Sequence, residues 1–146
     1  MSDFRQLSDT VWASPQIDAA DLEQASADGF TLVVNNRPDG EDAGQPDGEA
    51  IAAKAAEAGM NYVAIPITHA GFSGEQVGAM EDALSGTDGK VLAYCRSGTR
   101  STFLWALARA KAGDDPAEIA EAAAAAGYDV GPVRPTMEMF AAKQGD

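Results

Sequence analysis

Cysteine and histidine are almost absent from this chain: Cys95 and His69 are the single examples among 146 residues. One cysteine excludes an internal disulfide. It also excludes a redox switch that needs a resolving thiol within the chain. One histidine and one cysteine do not build a typical zinc centre, and the carboxylates show no ligand spacing. No metal and no cofactor is therefore expected. Positive charge is scarce as well, with ten Lys and Arg against 23 Asp and Glu and a formal net charge of -13. Such a field repels nucleic acid and anionic membranes over most of the surface, so neither is an expected partner. Any anionic substrate must then be held by a local device. No apolar run approaches the ~20 residues of a membrane helix. Residues 1–7 lack the basic and apolar regions of a signal peptide. The expectation is a soluble protein of the reducing cytoplasm.

What is present is enough apolar material, 45% of the residues, to bury a core. The length suits one domain over residues 1–146. Strand and helix signals alternate. Residues 18–27 read as a short helix with Asp18 at its cap. Residues 30–34, FTLVV, read as a strand buried on both faces, running into a turn-rich loop at 35–41. An alanine-rich helix is expected from about 48 to 58, a strand over 61–67, and a helix over 74–84. Residues 90–94 form the next strand, ending at Cys95, and a helix starts near Thr99. Further helices are expected over 116–126, with Pro116 in the first turn, and over 137–143. Residues 11–14 are a short apolar stretch before Pro15. Buried strands joined by helices imply an α/β fold with a mainly parallel sheet, whose ligands lie at the carboxyl ends of the strands.

Cys95 stands at such a place, in VLAYCRSGTRS, residues 91–101. Gly98 lets the four residues between Cys95 and Arg100 curl, so that successive backbone N–H groups and the following helix terminus make an anion nest. That field favours thiolate over thiol. Arg100 adds a fork of donors for a tetrahedral oxyanion. Ser97, Gly98 and Thr99 line the nest, and Ser101 or Thr99 could bond to the thiolate or cap the helix. Arg96 points either to a sulfonate or thiosulfate or to solvent at the rim. Packing alone explains a buried free cysteine, but not the company of Arg96, Gly98, Arg100 and Ser101. Arg37 and Asp39 follow a buried strand and should lie beside this loop. They read as an anion contact by Arg37, as an Arg37–Asp39 pair that shapes the pocket, or as turn chemistry in Pro38–Gly40. Trp105 and Phe103 read as core rather than substrate stacking, and Met137 and Met139 as gap-filling.

Residues 94–101, YCRSGTRS, resemble the active loop of rhodanese-type sulfurtransferases, where Cys-Arg-x-Gly-x-Arg is common. The wider chain resembles the bacterial beta-lactamase-hydrolase-like, phosphatase-like domains, also described as sulfurtransferases. The likeness runs through residues 14–16, VNNRPDGE at 34–41, Tyr62 to Pro66, and Leu104 with Trp105. It implies a fold similar to dual-specificity phosphatases, with the cysteine loop at its heart. Cysteine phosphatases carry His-Cys-(x)5-Arg-Ser/Thr, whereas here Tyr94 replaces the histidine and four residues precede Arg100. At the position resembling the phosphatase acid loop stand Thr68 and His69. His69 could protonate a leaving group or be a solvated loop residue; Asp39, Glu41 or Asp42 in the other loop could supply the acid instead.

Three functions follow from this reading. The first is a sulfurtransferase that carries sulfane sulfur as a persulfide on Cys95. The second is a phosphatase that forms phosphocysteine. The third is a non-catalytic module binding an anion or a phospho-residue. Sulfur transfer is favoured, because sulfite and thiolates leave without a strong acid. The implied partners are a small anionic substrate (thiosulfate, a persulfide or a phosphate ester) and a persulfide-handling enzyme.

Overall fold

The computed structural model describes residues 2–68 and 70–144. Its strands are β1 (Arg5–Gln6), β2 (Val11–Ser14), β3 (Phe30–Asn35), β4 (Asn61–Ala64) and β5 (Lys90–Tyr94). They form one sheet in the order β1-β2-β5-β3-β4, parallel throughout except for β1. Along β5 the side chains alternate between faces. Val91 and Ala93 enter one apolar cluster and Leu92 and Tyr94 the other, as a strand covered on both sides requires. On β3 one irregularity separates Phe30 from Leu32, and Thr31 is left exposed.

The helices cover both faces. Leu22 and Ala25 of α1 (Ala19–Ala27) and Ile51 and Ala55 of α2 (Gly48–Glu57) close one cluster. The other holds α3 (Gly74–Ser85), α4 (Thr99–Ala112), α5 (Pro116–Ala125) and α6 (Arg134–Gln144). Helix α4 is packed by α3, α5 and α6, so it is buried on most sides rather than along one stripe. Capping agrees with the sequence. Asp18 and Asp21 form a reciprocal capping box on α1, and Ser73 and Gln76 do so on α3.

The fold differs from the sequence expectations at four places. Residues 11–14 are a full strand, paired in register with β5. Strand β4 ends at Ala64, before Pro66, which has no N–H for a ladder; Ile65 and Ile67 still donate to the carbonyls of Asn35 and Asn36. Helix α6 begins at Arg134, one turn earlier than expected, fed by a 3-10 turn at Gly131–Val133. Met137 and Trp105 are core, but Met139 is 48% exposed and fills no gap. Among the described residues no helix is long and apolar enough to cross a membrane.

Candidate active site

Cys95 follows the central strand. Its N–H donates to Ser14 O of β2 at 3.3 Å, while Tyr94 O accepts from Asn36 N of the β3 loop at 2.8 Å. The sulfur is thus anchored between the carboxyl ends of both neighbouring strands. Residues 95–98 turn sharply into α4, and Gly98, at φ +93°, forms the N-cap with no side-chain bond. That left-handed backbone suits glycine. A Cβ there would also overlap the Tyr128 hydroxyl and ring. The turn brings Gly98 N–H to 3.1 Å from Cys95 Sγ, one donor of the expected nest. Thr99 N–H is engaged by Ser97 Oγ, which donates in turn to Thr99 Oγ1. Neither Thr99 nor Ser101 bonds the sulfur or caps the helix, contrary to the sequence expectation, because the glycine turn directs a backbone donor there instead.

Ser101 has a different task. Its hydroxyl, fully buried, donates to Asn36 Oδ1 at 2.8 Å, and Asn36 Nδ2 donates to Ile65 O at 2.9 Å. Thr102 Oγ1 donates to Gly98 O at 2.8 Å. Tyr128 hydroxyl, arriving from the loop after α5, donates to Ser97 O at 3.1 Å. The buried Ser101 and Thr102 side chains are thereby satisfied, which helps to fix the shape of the loop. Asn36 and Tyr128 were not foreseen as supports; no local signal marks either.

Above the loop lies an open cleft of about 730 Å³ whose wall includes Arg96, Ser97, Arg100, Thr68, Phe72 and Phe103. Phe103 packs on Phe72 at 6.2 Å, so its ring serves both the core and the cleft wall. The Arg100 guanidinium donates through Nη1 and Nη2 to the two oxygens of Glu41, at 2.7 and 2.9 Å, and through Nη1 to Ile67 O at 2.8 Å. Glu41 Oε1 also accepts from Arg37 Nε at 2.9 Å. The bidentate bond from Arg100, followed by the bond from Arg37, holds the Glu41 carboxyl at about 2, against the opposing effect of desolvation. Glu41 is therefore ionised at neutral pH and cannot serve as a proton donor there.

Arg37 is 5% exposed, with Nη1 donating to Gln16 Oε1 at 3.0 Å and Nη2 to Asp42 Oδ2 at 2.7 Å. The expected Arg37–Asp39 pair is replaced by pairs with Glu41 and Asp42, since Asp39 turns the other way. Asp39 Oδ1 accepts from Gly48 N at 2.8 Å and lines a neighbouring depression of about 250 Å³ with Tyr62 and Pro66. Arg96, its side chain 69% exposed, stands at the rim 3.7 Å from Asp42. His69 lies outside the described residues. Cys95 has no exposed surface, so access to it requires the contacts around the loop to move.

A family model for the beta-lactamase hydrolase-like protein, phosphatase-like domain, matches residues 3–112. The beta-lactamase hydrolase-like protein of Agrobacterium fabrum is 36% identical over 101 residues, 69% of this chain and 23% of that protein. The chain thus spans about a quarter of that relative's length. A crystal structure of a candidate phosphatase from Neisseria meningitidis superimposes with a TM-score of 0.84 at 31% identity, covering 96% of this chain and 99% of the other. Kinase associated phosphatase, solved with its catalytic-site cysteine changed to serine, gives 0.73 at 14% identity, with 99% and 96% covered, and attests the fold alone. A buried cysteine at the end of the central strand, on a cysteine-phosphatase fold and within a matching family model, places this chain in the beta-lactamase hydrolase-like, phosphatase-like domain family.

Proposed function

We propose that the protein is a cysteine-dependent sulfurtransferase that carries sulfane sulfur on Cys95. One observation supports this above others: each carboxylate of the 39–42 loop is committed elsewhere. Glu41 is ionised between two arginines. Asp42 is paired with Arg37 and Arg96, and Asp39 faces α2 from a separate depression. A phosphatase needs an acid for its leaving alkoxide. Sulfur transfer does not. The Cys95 thiolate attacks the outer sulfur of R–S–SH, the S–S bond breaks, and R–S⁻ departs as the Cys95 persulfide forms. An acceptor thiolate or cyanide then attacks that outer sulfur and releases the Cys95 thiolate. Gly98 N–H, 3.1 Å from Sγ, and the α4 terminus stabilise the thiolate in both steps. Arg100 is the anion contact, Arg96 and Ser97 form the rim, and Arg37 positions Glu41. A persulfide-handling enzyme, fused or separate, is the partner that this chemistry calls for.

Phosphate-ester hydrolysis through phosphocysteine is the second reading, supported by the fold and the family's phosphatase-like character. Parallel turnover of thiosulfate, an organic persulfide and an aryl phosphate by wild type and Cys95→Ser separates the two. Sulfur transfer that Cys95→Ser lacks, with little phosphatase turnover, is expected. Good phosphatase turnover with no sulfur transfer would reverse the order.

A further inference from the structure

Helix α5 ends in a turn that delivers one side chain to the cysteine loop. Gly127, at φ +94°, donates to Ala124 O at 3.0 Å, and Tyr128 N–H donates to Ala123 O at 2.9 Å. This paired cap fixes the backbone of Tyr128. The Tyr128 side chain is buried, and the Arg5 guanidinium of β1 lies over its ring, 5.2 Å from the centroid. Burial, opposed by the Arg5 charge, pushes the Tyr128 hydroxyl above its ordinary range. The hydroxyl therefore keeps its proton at neutral pH, and donates it to Ser97 O at 3.1 Å.

Ser97 O and Gly98 N–H belong to one peptide group. Among the described residues no peptide bond is cis, so that oxygen and that N–H point in opposite directions. Tyr128 thus holds one end of the group whose other end donates to Cys95 Sγ at 3.1 Å. Fixing the oxygen aims the N–H. A hydrogen bond to the carbonyl also polarises the peptide, which makes its N–H a stronger donor. The hydroxyl comes this close because residue 98 has no Cβ, which would overlap it.

Other elements reach the same place by other routes. Strand β2 and the β3 loop bring Ser14 and Asn36 to the strand end at Cys95, and neither side chain titrates. Helix α4 brings Arg100, whose positive charge acts on the sulfur. None of these contacts passes through Ser97 O, so all of them remain when the Tyr128 hydroxyl is removed.

We infer that Tyr128 is a positioning residue for Cys95, acting through the Ser97–Gly98 peptide to aim and strengthen the backbone donor to the thiolate. The inference rests on the proposed function only in taking the Cys95 thiolate as the reacting group; which group the sulfur carries does not enter.

The test titrates the ultraviolet absorbance of the thiolate against pH, which the single cysteine makes specific. Wild type and Tyr128→Phe are compared, each with its Cys95→Ser counterpart as the blank. Phenylalanine keeps the ring under Arg5 and removes only the donor. At a fixed pH below the midpoint, the ratio of thiolate to thiol should fall about threefold or more in Tyr128→Phe. Tyr128→Leu, which also lacks the hydroxyl, should show the same loss. The amide proton resonance of Gly98 should move upfield in both variants, as a weakened donor requires. Sulfur loading from an organic persulfide should slow at neutral pH and recover as the pH rises, which a merely loosened fold would not do. A Tyr128→Phe thiolate curve that overlays wild type overturns the inference, and so does a Gly98 resonance that stays in place. A displaced curve in a protein that loads no sulfur from any donor keeps the role of Tyr128 and refutes the sulfurtransferase reading.

Discussion

Gly98→Ala should damage both stability and chemistry, and the structure separates the two sources. At φ +93° an alanine is forced into the left-handed region, which costs about 1–2 kcal/mol by itself. The new methyl would also overlap Tyr128, so the strain exceeds the backbone cost. Relief has two routes. Tyr128 can retreat, losing its 3.1 Å bond to Ser97 O, or the Gly98 peptide can rotate, losing its 3.1 Å contact with Cys95 Sγ. In a chain of this size each 1 kcal/mol lowers Tm by roughly 2–4 °C, so the backbone cost alone predicts a drop of about 2–8 °C. Tyr128→Leu removes the clashing hydroxyl and ring edge. Gly98→Ala should therefore cost less in that background than in wild type, by about 1 kcal/mol or more, whereas independent sites would add. Urea unfolding of the four proteins gives this coupling, and sulfur uptake on Cys95 reports the loop. Strictly additive stabilities, or an alanine variant with undiminished stability and uptake, would refute the argument.

Ser101→Ala strands the buried Asn36 Oδ1 and should cost about 1–3 kcal/mol in urea, whereas Ser97→Ala, at an exposed hydroxyl, should stay within about 0.5 kcal/mol. Equal costs would show that the buried network does not support the loop. Glu41 has a depressed carboxyl, about 2 against an ordinary 4.5, so its stabilisation is present above about 4.5 and fades as pH falls towards 2. Glu41→Gln should be less stable than wild type at pH 7, by on the order of 1 kcal/mol once solvent screening is allowed for, with the gap closing across that window. A gap independent of pH would contradict the assignment. Asp39→Asn keeps an acceptor for Gly48 N–H, and its sulfur uptake should match wild type within about twofold. A large loss would return Asp39 to the chemistry.

The parts of this protein legible in its sequence are those decided by neighbours along the chain. The apolar run before Cys95, the glycine after it and the helix beyond defined a strand, a turn and a helix terminus. Alternation along β5 and the Asp18 cap were equally local. Contacts made across the sheet were not legible. Arg100 and Glu41 stand 59 residues apart and meet only because β3 and β5 are adjacent. Ser101 and Asn36 are 65 apart, and Tyr128 reaches Ser97 over 31 residues. Arg37 shows how this misleads. Its place after a buried strand suggested a pair with Asp39, whereas the folded loop supplied Glu41 and Asp42. Strand β1, of two residues, is too short to carry any periodic signal.

The central claim is that Cys95 carries sulfane sulfur, and intact-mass measurement tests it most directly. The protein is exposed to an organic persulfide without acceptor, freed of small molecules, and weighed before and after treatment with cyanide. The account predicts a gain of one sulfur atom on wild type, removed by cyanide with release of thiocyanate, and no gain on Cys95→Ser. Wild type that gains no sulfur, or a serine variant that gains it equally, would contradict the claim.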